Sequence, residues 1–151
     1  MAFKVLNRID DEPWINWALE MVSAGIETEH LIILAGLSSP NNYFYLRELT
    51  DKVFTELSLD ISSPGKVLTN YSLYLVREAL ANKRGYFAVL QFLKELYYKF
   101  DFASSFYCLY YAWDDLNHST EQCYWPGATR ENIHSVTEEF FREWSQSNDY
   151  Q

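Results

Sequence analysis

The sequence predicts an all-α fold, a compact orthogonal bundle of six or seven helices in a single domain, on three observations. Apolar residues recur at helical spacing almost throughout. Pro, Gly, Ser, Thr and Asn fall between the periodic segments, where helices start and stop. Strict apolar/polar alternation, the mark of a strand, is absent, and the Tyr/Phe runs lie inside segments of helical period. A chain of 151 residues suits one domain with a single core.

The first helix is expected over about Glu12 to Ala24. Asp10 or Asp11 caps it, Pro13 sits in the first turn where a missing N–H costs nothing, and Gly25 stops it. Trp14, Trp17, Ala18 and Met21 form its inward stripe. Thr28 then caps a short helix, HLIILAGL, which is apolar nearly all round and reads as central and buried. Asn42 opens a third helix to about Leu59 with Tyr43, Leu46, Leu49, Val53 and Leu57 on one face. A fourth runs from Pro64 to Asn82. Gly85 separates it from a fifth, YFAVLQFLKELYYKF, and Asp101 is read as the cap of a sixth, FASSFYCLYYAWDDL. The polar stretch NHSTEQCYWPG is the longest loop. Thr129 caps a last helix to about Trp144, whose inner stripe is Ile133, Val136, Phe140 and Trp144.

Composition narrows the function classes. Apolar residues make up 48%, which excludes disorder, and no apolar run, LIILA included, approaches the length of a membrane span. The N-terminus lacks a signal-peptide core, so the expected location is cytoplasmic. Cys108 and Cys123 form no CxxC pair and read as free thiols. Net charge is −9, and residues 101–151 carry −7 of it, nine acids against two bases. Such a field repels nucleic acid and anionic membranes and attracts a basic protein.

One constellation invites a metal reading. All three histidines follow an acid by three residues: Glu27 before His30, Asp115 before His118, Glu131 before His134. Residues at i and i+3 share a helix face, and Glu-x-x-His pairs ligate metal in di-iron carboxylate bundles. Two of the pairs straddle helix starts, however, where acids collect simply because they complement the helix dipole. The third, in WDDLNHSTEQC, lies near a helix C-terminus, where Asp114 and Asp115 are locally unfavourable and could supply ligands with His118 and Cys123. The simpler account is a helix end presenting charge, with His118 offsetting the aspartates. No metal or other cofactor is therefore expected, and a metal-dependent enzyme stands as the alternative. No catalytic residue is assigned: nucleophile, phosphate-loop, dinucleotide and HExxH motifs are absent.

Aromatic residues make up 18% of the chain, with twelve tyrosines. Consecutive pairs such as Tyr97–Tyr98 and Tyr110–Tyr111 cannot both face inward on a helix, so some rings reach the surface. Tyrosine and tryptophan dominate interface hot spots, and here they coincide with the acidic excess. Asp114, Asp115, Glu121, Tyr124 and Trp125 are the expected partner contacts.

The segment WINWALEMVSAGIETEHLIILAGLSSPNNYFYLRELTDKVFTELSL, with its W-A-x-x-M-x-x-G spacing and LAGL, resembles small uncharacterised helical bacterial proteins. In size, acidity and aromatic content the whole chain is similar to bacterial immunity proteins, which neutralise cognate toxins. That resemblance implies a non-enzymatic inhibitor that covers a basic toxin surface. A homodimeric structural subunit joined through a tyrosine face is a further alternative.

Overall fold

The computed structural model describes residues 1–8, 10–101 and 103–148. They form eight α-helices and no strand: α1 (Ala2–Val5), α2 (Asp11–Ser23), α3 (Glu29–Ala35), α4 (Tyr43–Glu56), α5 (Pro64–Leu80), α6 (Tyr86–Phe100), α7 (Ser104–His118) and α8 (Ile133–Asn148). The expected all-α class is found, with α1 the helix that periodicity did not reveal. Phe102, expected within the sixth helix, and Asp149, one of the acids of the C-terminal excess, lie outside the described residues. No helix among the described residues is long and apolar enough to cross a membrane. The chain divides into two compact units, Met1–Val67 and Leu68–Gln151.

In the first unit, α2 packs on α3 and α3 on α4. Trp14 and Ala18 of α2 meet Leu31 and Leu34 of α3 and Leu46, Leu49, Val53 and Phe54 of α4. Trp14 makes edge-on contacts with Phe3 at 6.2 Å, Trp17 at 5.8 Å and Phe54 at 6.0 Å, and its indole N–H donates to the Arg8 carbonyl at 3.1 Å. The expectation that α3 is buried all round is corrected. Leu31 and Leu34 are closed off, but Ile32 and Ile33 are 50% and 39% exposed, because a two-turn helix covered on one side leaves its other side in water.

Helix ends follow local rules. Gly25, at φ +84°, closes α2: the Ile26 N–H donates to the Met21 carbonyl at 3.1 Å and the Gly25 N–H to that of Val22 at 2.9 Å. The same doubly bonded turn ends α4 through Ser58, with Leu59 N–H on the Phe54 carbonyl at 2.9 Å. It ends α5 through Asn82, with Lys83 N–H on the Glu78 carbonyl at 2.9 Å. Asn42 caps α4 as expected, its Oδ1 accepting from the Phe44 and Tyr45 N–H groups at 2.9 and 3.4 Å.

Asp11 does more than occupy a first turn. Its carboxylate accepts from the Asn41 backbone N–H at 2.8 Å, the Asn41 amide at 3.2 Å and the Ser39 hydroxyl at 3.1 Å, tying the 38–42 loop to the start of α2. Partial burial alone would push the Asp11 carboxyl up, but these three donors hold it below its ordinary value of 3.8. A depressed carboxyl contributes stability at neutral pH that is lost as pH falls through its folded-state value. The Asn41 amide should therefore exchange faster with solvent on lowering the pH from about 5 to about 3, after correction for intrinsic exchange. Asp11→Asn should remove most of that dependence.

In the second unit, α6 packs on α7 and also meets α8. Phe106, Leu109 and Ala112 of α7, Leu90 and Leu93 of α6, and Phe141 of α8 are fully buried. Two expectations are corrected here. Asp101 does not cap α7: it is the C-cap of α6, in the left-handed region at φ 51°, and Ala103 precedes α7. The α8 stripe is also rotated: Ile133, Thr137, Phe141 and Ser145 are the buried line, while Val136, Phe140 and Trp144 are half-buried beside it. Thr137 is fully buried, its hydroxyl donating to the Ile133 carbonyl at 2.8 Å. Thr129 opens a turn ahead of α8, its carbonyl accepting from the Asn132 and Ile133 N–H groups at 3.2 and 2.9 Å.

Candidate functional site: a tyrosine surface and an imidazole–carboxylate pair

Tyr97 and Tyr98 occupy the last turn of α6, while Tyr107 and Tyr111 lie four residues apart on one face of α7. Pairing of α6 with α7 brings them into one surface. Tyr107 lies 4.8 Å from Tyr97, 5.5 Å from Tyr98 and 4.7 Å from Tyr111 between ring centroids. The loop after α7 adds Tyr124, 5.4 Å from Tyr111 and 6.4 Å from Tyr107. Tyr98 is 58% exposed and Tyr124 37%, so the cluster opens to solvent. The Tyr98 and Tyr111 hydroxyls are 3.1 Å apart, and that hydrogen bond holds the Tyr98 phenol above its ordinary pKa. Desolvation first, then the neighbouring Tyr107, raises Tyr124 as well. The five rings present both apolar faces and polar tips.

The surface already holds one cation. The Lys94 ammonium lies 3.7 Å from the centroid of Tyr110 and 5.5 Å from that of Tyr111, within cation–π range.

Of the expected contact residues, Tyr124 is in this cluster and Asp115 is close enough to add to the rise of the Tyr124 pKa. Glu121 is exposed, and Asp114 and Asp115 are half-buried on α7. Trp125 is half-buried against Phe140 of α8, 5.3 Å away, rather than among the tyrosine contacts. Tyr97, Tyr98, Tyr107 and Tyr111 were not assigned as contacts from sequence.

Gln122 holds the loop in place. Its Oε1 accepts from the Tyr124 and Trp125 N–H groups at 2.9 and 2.8 Å, and its Nε2 donates to the carbonyls of Trp125 and Ala128 at 2.6 and 3.1 Å. Arg130 closes the end of α7, its Nε donating to the carbonyls of Leu116 at 2.6 Å and Ser119 at 3.0 Å. Gln122→Leu should cost about 1–3 kcal/mol in urea unfolding, because partly buried backbone groups lose their partners. Amide exchange should accelerate at Tyr124 and Trp125 ahead of the α7 core.

The three histidines have different surroundings. His118 donates from Nδ1 to the Asp114 carbonyl at 2.8 Å, within the last turn of α7. His134 packs on Tyr86 at 4.8 Å and Trp113 at 6.1 Å, and it shares a shallow recess with Lys83 and Arg84, whose charge disfavours a metal cation there. Glu131 is held by backbone N–H and Thr129 bonds that lower its carboxyl pKa.

His30 differs. Its Nδ1 is 2.5 Å from Glu56 Oε1, and its backbone N–H donates to Glu56 Oε2 at 3.1 Å. The Thr28 side chain makes no cap bond to α3, so the Glu56 carboxylate, at the end of α4, serves that helix start instead. The His30 side chain first, with the Thr28 hydroxyl next, draws the Glu56 carboxyl below its ordinary pKa. Glu29, His30 and Glu56 each present a ligand atom within 4.8 Å of the others, the one such grouping among the described residues. Glu27 lies in the exposed stretch before α3 and is not a member.

The first unit also has a cavity of about 240 Å³ whose walls include Phe3, Lys4, Arg8, Trp14, Arg47 and Asp51. The Lys4 ammonium there is taken up by the Arg47 carbonyl at 3.1 Å, the Thr50 hydroxyl at 2.7 Å and the Asp51 carboxylate at 2.9 Å. Comparison with protein-family models, with curated proteins and with solved structures found no match to this chain.

Proposed function

We propose that the chain is a non-enzymatic protein-binding module whose tyrosine surface grips a basic protein partner. One observation carries this reading: Tyr97, Tyr98, Tyr107, Tyr111 and Tyr124 form a continuous, partly exposed cluster. Tyrosines bury a large area on binding at the cost of few rotatable bonds, and each keeps a hydroxyl for a partner's polar groups. The Lys94 ammonium 5.5 Å from the Tyr111 centroid supports a cationic counterpart, since a ring of this cluster already lies within cation–π range of an ammonium. The −7 charge of residues 101–151 adds long-range attraction that speeds encounter and weakens with salt.

In its most specific form the partner is a basic toxin that the chain neutralises in the bacterial cytoplasm, which the likeness to immunity proteins implies. The test begins with genes beside the one encoding this chain. Co-expression with a basic toxin encoded there should restore growth, and the purified pair should bind with salt-dependent affinity. Tyr98→Ala with Tyr124→Ala removes two exposed rings at little cost to the core. The double variant should weaken binding by about thirtyfold or more, on the order of a single hot spot or above. Equal binding by the double variant and the unsubstituted chain would overturn the assignment of this surface. Concentration-dependent solution mass that collapses to monomer in the double variant would instead make the occupant a second copy of the chain.

A further inference from the structure

We propose that Glu29, His30 and Glu56 form a binding site for a divalent metal ion of the zinc class, joining the first turn of α3 to the last turn of α4. The donor set is two carboxylate oxygens and one imidazole nitrogen, which suits Zn²⁺ and its first-row neighbours rather than calcium or magnesium. With the imidazole neutral, the two carboxylates supply the charge that balances a dication.

The geometry is close to what such an ion needs. Metal–ligand distances of about 2.0–2.2 Å place neighbouring donors about 3.0–3.5 Å apart. The three ligand atoms already lie within 4.8 Å of one another, so rotation of the Glu29 side chain on the surface, with slight separation of His30 from Glu56, completes the set. Glu56 is held for the task. Its Oε2 is fixed by the His30 backbone N–H, which leaves Oε1 facing the imidazole. The Thr28 hydroxyl, whose oxygen is shut off from solvent and lacks a hydrogen bond of good geometry, faces the same carboxylate as an outer support.

In the metal-free protein Nδ1 and Oε1 face each other directly, and the ion would sit between them. The carbonyl end of α4 favours a cation beside Glu56, and the short α3 opposes it only weakly. Three protein ligands leave a coordination position for water or for a group from another molecule. The site is independent of the tyrosine surface, and its failure would leave that reading untouched.

The test uses the full chain without a histidine tag, stripped with chelator and titrated with zinc chloride by calorimetry. One equivalent should bind with micromolar or tighter affinity and raise the melting temperature. Cobalt(II) in its place should give visible d–d bands. Glu29 takes no part in the His30–Glu56 bridge, so Glu29→Gln should leave the metal-free melting temperature unchanged and weaken zinc by at least about tenfold. His30→Gln should abolish the cobalt bands. Binding weaker than millimolar, or zinc affinity unchanged in both variants, would overturn the proposal.

Discussion

Phe106→Ala should lower the stability of the protein by about 3–5 kcal/mol, seen as a shifted urea midpoint. The ring has no solvent exposure and is gripped edge-on by Phe140 at 5.3 Å, Phe141 at 6.2 Å and Trp144 at 5.0 Å. Its removal discards transfer energy and also leaves a void, because Leu109 and Ala112 on the same helix are themselves fully buried and cannot shift to fill it. Such a loss is comparable with the whole stability of a small domain, about 5–15 kcal/mol. Phe106→Leu keeps most of the volume and should cost less than half as much. A loss below about 1 kcal/mol for the alanine variant would mean that α7 and α8 do not meet through this ring.

Trp14→Ala should be of similar size, about 3–5 kcal/mol. Only 4% of this side chain is exposed, and it touches rings on three sides, from Phe3, Trp17 and Phe54. The substitution also strips the Arg8 carbonyl of the indole N–H that reaches it. Trp14→Phe separates the two contributions: it retains the apolar contacts and loses only the donor, so it should cost about 1–2 kcal/mol beyond the change in ring size. Near-ultraviolet circular dichroism should lose the signal of the coupled Trp14–Trp17 pair in both variants, while the α-helical far-ultraviolet signal of Trp14→Phe persists.

Most of the helices were legible because their ends carry chemical punctuation. Gly25, Asn42, Pro64 and Gly85 mark boundaries that the structure places within one or two residues of expectation, and YFAVLQFLKELYYKF is α6 in full. The four-residue α1 is too short to show a period. The stripe of α8 was misjudged because its largest apolar residues, Phe140 and Trp144, suggested the inner line. The buried line instead includes the small Thr137 and Ser145.

Sites were harder to read, since they depend on which helix faces meet. Tyr98 and Tyr111 join hydroxyls across thirteen residues, and His30 finds Glu56 across twenty-six. Neither pairing leaves a local trace. Gln122 and Arg130 look like ordinary polar loop residues until their carbonyl partners are known. The impossibility of hiding both members of Tyr97–Tyr98 was legible from helix geometry alone, and Tyr98 is indeed the exposed one.

The way α2, α4 and α5 terminate bears on how the chain reaches its native state. Each reversal is completed by bonds spanning no more than five residues, and α2 meets α3, α3 meets α4 and α6 meets α7 as immediate neighbours in sequence. Closing such short loops costs little entropy, which favours early pairing of these neighbouring helices. Each helical hairpin can therefore assemble while the ribosome is still making the next.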